Sequence, residues 1–170
     1  MRPMIPLRSV LLSAGLVAYC ATAMAQPPES DDALLAELVA LERSALDRWV
    51  KLDPDGYLDL FATDVTYFDP TTERRMSGLE ELRARLAPVR NMKPPFSDPR
   101  YELIAPKVQR RGDVALLTFN LINYGKLSDG VERELARWNS TEVYSRIDGK
   151  WKIIHSHWSS TQPQQKPPVP

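Results

Sequence analysis

The chain has 170 residues, and its 22 Lys and Arg residues balance 22 Asp and Glu residues. Adjacent basic residues occur only at Arg74-Arg75 and Arg110-Arg111, so the sequence predicts no concentrated basic face. Phosphate backbones and acidic lipid surfaces bind to such faces. We therefore expect neither nucleic acid nor a membrane surface as a partner.

The first 25 residues have the three parts of a secretory signal peptide. Arg2 and Arg8 supply positive charge, residues 10–17 (VLLSAGLV) form a short apolar run, and 23–25 (AMA) form a small-x-small cleavage site. The apolar run is too short to span a bilayer as a mature helix. We expect a bacterial protein that is periplasmic or secreted, with residues 1–25 as a cleaved signal peptide and 26–32 as a linker.

The single cysteine, Cys20, lies inside the predicted signal peptide. The mature chain would then contain no disulfide and would depend on a hydrophobic core for its stability. Its length fits one domain, which we place at residues 33–160. Residues 161–170 are Pro-rich and predict an extended, disordered tail.

The first half of the mature chain has the apolar periodicity and the capping signals of helices. Asp31 or Asp32 is a suitable N-cap for the first helix, and Asp53-Pro54 places a cap before a proline at the first position of the second. The predicted elements are helices over 33–51, 53–62 and 77–88, with a short strand over 65–68 between the second and the third.

The second half changes to stretches that are typical of strands. We predict strands over 101–109, 114–124, 131–147 and 151–159. Asp148-Gly149, between the last two strands, is a strong hairpin signal. Helices followed by a meander of antiparallel strands predict an α+β domain.

Two groups of motifs resemble known proteins. The run 64–70 (DVTYFDP) with Ser77-Gly78 resembles the nuclear-transport-factor-2-like superfamily, which includes ketosteroid isomerases, scytalone dehydratase and SnoaL-type polyketide cyclases. The runs 141–144 (TEVY), 148–151 (DGKW) and 155–159 (HSHWS) are similar to the association domain of calcium/calmodulin-dependent protein kinase II. The resemblance implies a cone-shaped, curved antiparallel sheet wrapped around three N-terminal helices, a cystatin-like α+β barrel. It also implies a pocket on the concave side and assembly through the convex face.

The resemblance places a small-molecule pocket inside this cone. Its expected lining consists of Trp49, Phe61, Tyr67, Asp69, Asn120, Trp138, Glu142 and Trp158. Asn120, Glu142 and Trp158 fall where the association domain has arginines, so its anion-binding pocket does not carry over. Indoles with an amide and a carboxylate would suit a small apolar molecule. The alternative is a filled core in which Glu142 pairs with Arg137 or Arg48.

Asp69 is the candidate catalytic residue. The run 67–70 falls on the run that supplies the general base of ketosteroid isomerases, and carboxylates beside apolar groups suit proton abstraction. The tyrosine that stabilises the enolate in those enzymes falls near Ala45 here, so this donor is missing. Three roles stay open for Asp69: a turn residue bonded to backbone N–H groups, a ligand contact, or a general base.

The only two histidines, His155 and His157, are two residues apart on a predicted strand and so share the face opposite Trp158. With Asn139 and Thr141, they are the expected contacts of a homodimer or larger ring on the convex face. A solvated sheet face and a buried hydrogen-bonding role are the alternatives. A zinc site would need a third ligand within reach, so we expect no metal.

Three functions are consistent with these features. The first is an exported module that oligomerises and binds a small apolar ligand in its cone pocket. The second is a cofactor-independent isomerase, dehydratase or cyclase with Asp69 as general base. The third is an assembly module whose pocket is vestigial. The resemblance implies no cofactor, and the chain contains no Gly-rich phosphate loop that would predict a nucleotide site.

Overall fold

A computed structural model describes residues 30–161. The predicted signal peptide, residues 26–29 of the linker and residues 162–170 of the tail lie outside the described residues. The elements in chain order are α1 (Asp31–Trp49), α2 (Asp55–Leu58), β1 (Phe61–Phe68), β2 (Met76–Ser77), α3 (Leu79–Leu86), a 3-10 helix (Ala87–Asn91), β3 (Ser97–Arg111), β4 (Val114–Lys126), β5 (Glu132–Ile147) and β6 (Lys150–Ser160). In this part of the chain, no helix is long and apolar enough to cross a membrane.

The first helix begins two residues before its predicted start. Ser30 is the N-cap, because its hydroxyl oxygen accepts a hydrogen bond from the backbone N–H of Ala33 at 3.2 Å. Asp31 and Asp32 lie in the first turn instead, where their negative charge stabilises the helix dipole. The end of the predicted linker is therefore helical.

The second helix is shorter than predicted, and the strand after it is longer. Pro54 is the N-cap of this helix and not, as predicted, its first residue, and Asp53 Oδ1 accepts a hydrogen bond from the backbone N–H of Asp55 at 3.0 Å. Phe61 pairs with Ile153 of β6 and belongs to β1. Sheet pairing thus replaces the last predicted turn of the helix.

Six strands form one curved sheet that does not close, in the order β2-β1-β6-β5-β4-β3. The α+β class with N-terminal helices is confirmed, but the sheet is mixed, because β1 runs parallel to β6. The strand β2 was not predicted, since two residues are too few to show a period. The Asp148-Gly149 hairpin is confirmed, with positive φ angles of 50° and 76° as a type I′ turn requires.

A β-bulge in β6 changes which side chains face the core. Ile153 lies opposite Tyr144 and His155 lies opposite Val143, so Ile154 has no opposite residue. Consequently Ile153 and Ser156, which are three residues apart, are both fully buried. Such a bulge also bends the strand, which contributes to the curvature of the sheet.

The core lies between α1 and the concave face of the sheet. Leu34, Leu38 and Leu46 of α1 are at most 1% exposed, and they pack with buried sheet residues such as Leu117 and Tyr144. The positions of these leucines match the predicted apolar stripe of the helix.

A substitution at Gly56 tests the close contact between α2 and α1. A Cβ atom at Gly56 would lie 2.7 Å from the carbonyl oxygen of Ala45 and 2.9 Å from Cβ of Arg48. We expect Gly56→Ala to lower the free energy of unfolding in urea by about 1–3 kcal/mol, because the helices must move apart. The exposed control Ala84→Ser should change it by less than about 0.5 kcal/mol. Equal stability of Gly56→Ala and the wild type would contradict the close approach.

Candidate ligand cavity

A cavity of about 170 Å³ lies between the C-terminal end of α1, the helix α2 and the strands β1, β4, β5 and β6. Its aromatic lining residues are Trp49, Tyr57, Phe61, Tyr67, Trp138 and Trp158. The remaining lining is contributed by Leu46, Leu86, Leu121, Pro70, Asp69, Thr71 and Asn123. The wall is therefore predominantly aromatic, with a few polar groups.

The aromatic side chains support one another through edge-to-face contacts. The ring of Trp158 meets those of Tyr57, Phe119 and Trp138 at centroid distances of 6.4, 5.7 and 6.4 Å and at angles between 81° and 87°. Trp49 meets Tyr57 at 79°. Edge-to-face pairs are favourable because the positive edge of one ring faces the negative face of the other. These contacts hold the wall in a defined shape.

Both indole N–H groups in the sheet part of the wall are bonded to protein atoms. Trp138 Nε1 donates to Asn123 Oδ1 at 2.9 Å, and Trp158 Nε1 donates to Ser156 Oγ at 3.1 Å. Since these donors are satisfied, the indoles offer a ligand mainly their carbon surfaces. Asn123 makes no second side-chain hydrogen bond among residues 30–161, so its NH₂ group is available to a ligand.

Asp69 follows β1 at the wall of the cavity and also orders the chain after that strand. Its Oδ1 accepts hydrogen bonds from the backbone N–H and the hydroxyl of Thr71, both at 2.6 Å. Burial raises the pKa of the neighbouring Tyr67 hydroxyl, and the negative charge of Asp69 raises it further. The carboxylate of Asp69 thus combines the turn contact with a position on the cavity wall.

Two carboxyl groups lie behind the wall, in the core. Glu42 of α1 is 0% exposed and accepts hydrogen bonds from the hydroxyls of Tyr57, at 3.1 Å, and of Tyr144. Glu142 of β5 is also 0% exposed. No Lys or Arg within residues 30–161 forms an ion pair with either carboxyl group.

Hydroxyl groups satisfy only one oxygen of Glu142. Its Oε1 accepts hydrogen bonds from Ser140 Oγ at 2.9 Å and from Ser156 Oγ at 3.0 Å. Among the described residues, Glu142 Oε2 has no hydrogen-bond partner. Ser156 also accepts the indole N–H of Trp158, so a chain of hydrogen bonds connects the cavity wall with Glu142.

Burial is the main cause of the raised pKa values of Glu42 and Glu142. Loss of solvation raises the pKa of Glu42 from 4.5 to about 7, although the hydrogen bonds from Tyr144 and Tyr57 act in the opposite direction. Burial, followed by the charge of Glu42, raises the pKa of Glu142 well above its ordinary value. Burial and the same carboxyl groups also raise the pKa values of Tyr57 and Tyr144. The proton-bearing forms are favoured throughout the cluster.

Six of the eight residues predicted for the pocket line this cavity, and Asn120 and Glu142 do not. Asn120 alternates with Phe119 and Leu121 on β4 and lies on the outer face, where it donates to Asn139 Oδ1 at 2.6 Å. Glu142 is on the concave face but lies deeper, beneath Ser156.

The predicted alternative partners of Glu142 are also wrong. Arg48 pairs with Asp53 at 2.7 Å, and Arg137 pairs with Glu134 at 2.7 Å. Both arginines therefore have acidic partners near the surface, and the buried carboxyl group has hydroxyl partners instead.

Sequence reasoning missed Glu42, Tyr57 and Asn123. Glu42 follows Leu38 by four residues and so occupies the apolar stripe of α1, which was a visible signal of a buried carboxyl group. Asn123 shares the inward period of Leu121, which distinguishes it from Asn120. Nothing in the sequence distinguished Tyr57 from an ordinary core residue.

The four predicted interface residues lie on the outer face of the sheet. His157 is opposite Thr141, and Asn139 is opposite Asn120. His155 Nδ1 lies 2.7 Å from the hydroxyl of Thr66, and burial followed by the charge of His157 lowers the pKa of His155. In residues 30–161 no group of three or more His, Asp or Glu side chains is placed to hold a metal ion.

A curved, open sheet over N-terminal helices, with an aromatic cavity on the concave side, defines a domain of the nuclear-transport-factor-2-like class. A family model described as SnoaL-like domain matches residues 43–163, and the chain belongs to this SnoaL-like family. No curated protein matches the chain.

Solved structures with the same fold include enzymes and assembly modules by name. A protein from Parabacteroides distasonis ATCC 8503, provisionally named a ketosteroid isomerase, is 41% identical over 74% of this chain and 86% of its own, with a TM-score of 0.60. The association domain of calcium/calmodulin-dependent protein kinase II from C. elegans is 21% identical over 76% and 97%, with a TM-score of 0.64. An NTF2-like protein of unknown function from Pseudomonas putida KT2440 is 24% identical over 79% and 91%, with a TM-score of 0.64. At these identities the last two show the fold alone.

The raised pKa of Glu42 predicts a specific dependence of stability on pH. The folded protein keeps this proton up to about pH 7, whereas the unfolded chain loses it near 4.5. The contribution of Glu42 to stability therefore falls as pH rises between these values and is constant above them. Between about pH 5 and about pH 8, we expect the free energy of unfolding of Glu42→Gln to rise by about 2–3 kcal/mol relative to the wild type.

Urea unfolding at the two pH values measures this change, with Glu80→Gln as the control. Glu80 is 88% exposed and forms only a surface contact with Arg83, so its replacement should shift stability equally at both pH values. A constant difference between Glu42→Gln and the wild type would show that Glu42 ionises at its ordinary pKa.

Proposed function

We propose that this protein is an exported, self-associating module that binds a small, largely apolar molecule in its aromatic cavity. The observation that carries the proposal is the cavity itself: aromatic side chains surround about 170 Å³, and the indole N–H groups of Trp138 and Trp158 are already bonded to protein atoms. A concave, mostly apolar site with few polar groups is the usual form of a small-molecule site.

The size of the cavity limits the ligand. An engineered apolar cavity of about 150 Å³ holds benzene, whereas sites for drug-sized ligands have volumes of about 300–1,000 Å³. A cavity of about 170 Å³ therefore suits a molecule with one ring or a compact branched group. A four-ring steroid would not fit inside it completely.

Self-association and export are supported by separate features. The outer face carries His155, His157, Asn139 and Thr141, and the similar C. elegans domain is named for association. Light scattering that reports a monomer at all concentrations would contradict a dimer or ring. Export is supported by the N-terminal signal-peptide pattern, and N-terminal sequencing of the mature protein should begin at Gln26.

A second candidate is a cofactor-independent isomerase, dehydratase or cyclase with Asp69 as general base. Two observations favour it: Asp69 lines the cavity, and the protein that is 41% identical is provisionally named a ketosteroid isomerase. Glu42, with a pKa of about 7 and a hydrogen bond to Tyr57, is a further proton-exchanging group next to the wall.

Blocking the cavity tests the binding function. Leu121 lines the cavity and is 3% exposed, so Leu121→Trp should place an indole inside it. With benzyl alcohol as probe, isothermal titration calorimetry should show at least about tenfold weaker binding to this variant than to the wild type. The control Val131→Trp, at a residue that is 51% exposed and outside the lining, should bind like the wild type. Unchanged binding to Leu121→Trp would contradict a site in this cavity.

Turnover of a carbonyl substrate by the wild type would test the enzymatic alternative. Asp69→Asn keeps the acceptor oxygen that orders Thr71 but removes the basic carboxylate. If Asp69 is the general base, kcat should fall by about 10²- to 10⁴-fold with the fold intact by circular dichroism. An unchanged kcat would assign the base to another group.

A further inference from the structure

We propose that the ligand of the cavity is a small organic cation, with a methylated or otherwise substituted ammonium group enclosed by the aromatic rings and facing Asp69. This inference rests on the proposed binding function, because it names the ligand class for the same cavity. Its evidence is the arrangement of the rings, the sign of the surrounding charges and the small number of available donors.

Three adjoining pairs of rings in the wall stand nearly perpendicular to one another, whereas Tyr57 and Phe61 are stacked at 26°. The angles are 79° between Trp49 and Tyr57, 87° between Tyr57 and Trp158, and 84° between Trp158 and Trp138. Rings in this arrangement contact a ligand from several directions. The negative faces of aromatic rings attract cations, and tryptophan and tyrosine do so more strongly than phenylalanine. The cavity therefore has the composition of a cation-binding aromatic cage.

The charged group in the cavity lining has the same sign as the ring faces. Asp69 is the one charged residue in the lining among residues 30–161, and no Lys, Arg or His lines the cavity there. Glu42 and Glu142 lie behind the wall with their proton-bearing forms favoured, so they place no positive charge near the cavity. Arg85 donates to Thr71 of the lining at 3.0 Å, and its charge lowers the pKa of Tyr67. Asp69 has the larger effect on that pKa, and Arg85 is exposed, where water and salt screen its charge.

An anionic ligand would find few donors in this cavity. The indole N–H groups of Trp138 and Trp158 are bonded to Asn123 and Ser156. The available donors of the wall among residues 30–161 are therefore the Asn123 amide and the indole N–H of Trp49. A neutral apolar ligand would gain from burial, but it would leave the Asp69 carboxylate without an added partner. A cation uses the carboxylate, the ring faces and the apolar surface together.

The test compares choline with 3,3-dimethylbutan-1-ol, which has the same shape with a carbon atom in place of the charged nitrogen. Isothermal titration calorimetry on the full mature protein should give choline at least about tenfold higher affinity than the alcohol. If the alcohol binds as tightly as choline, the cation class is overturned and the binding function stands. If benzyl alcohol binds and neither choline nor 3,3-dimethylbutan-1-ol does, the cation class is likewise overturned and the binding function stands. If none of the three probes binds, the binding function fails as well.

Two variants test whether the preference for choline depends on the charge of Asp69 and on the aromatic ring of Trp49. Asp69→Asn should reduce the choline affinity by about tenfold and leave the alcohol affinity within about twofold, because it removes charge at constant size. The control Asp64→Asn changes an exposed carboxylate earlier on the same strand and should affect neither probe. Trp49→Leu keeps an apolar wall without a π face, and it should weaken choline more than the alcohol. Equal weakening of both probes by these variants would overturn the proposal.

Discussion

Two carboxyl groups without a cationic partner lie in the core, and much of the arrangement around them follows from this constraint. A buried carboxyl group is tolerated only if it is neutral or well hydrogen-bonded. Glu42 meets this requirement through Tyr57 and Tyr144. Ser140 and Ser156 satisfy only Oε1 of Glu142, and burial favours the neutral form of this carboxyl group. These bonds join α1, α2, β5 and β6 at one point.

The same bonds position the wall of the cavity. Tyr57 is held by Glu42 at its hydroxyl and lines the cavity with its ring. Trp158 is held through Ser156 and is the ring that contacts Tyr57, Phe119 and Trp138. The polar cluster thus keeps the aromatic rings in place, while the rings exclude water from the carboxyl groups. Rings that the polar cluster holds in place would keep the shape of the cavity before a ligand binds.

Local patterns in the sequence were sufficient for the order of elements and for much of the wall. The leucine spacing of α1 predicted its buried face, Asp148-Gly149 predicted the last hairpin, and Trp138 and Trp158 were correctly placed on the concave side. The pairing of the strands was harder to predict from the sequence, because a period of two residues does not reveal that β1 runs parallel to β6. The bulge at Ile154 interrupts the alternation of side chains along β6. Ile153 and Ser156 therefore face the same side of the sheet, whereas strict alternation would place them on opposite sides.

The site errors have related causes. Asn120 was placed by resemblance, although its alternation with Leu121 already put it on the outer face. Glu142 was placed on the correct face, but Ser156 of the neighbouring strand lies between it and Trp158, and the sequence of one strand does not encode this. Glu42 was overlooked, although its place in the apolar stripe of α1 indicated burial, because charged residue types are seldom fully buried. Its hydroxyl partners come from α2 and β5, which are distant in the chain.

Native mass spectrometry of the protein, purified without unfolding, tests assembly and ligand binding most directly, because one spectrum reports both the number of subunits and any retained molecule. We expect a dimer or larger ring in which each subunit carries the same small additional mass. The Leu121→Trp variant should lose that mass and keep the same number of subunits. A bare monomer for the wild type would contradict both the assembly through the outer face and the ligand in the cavity.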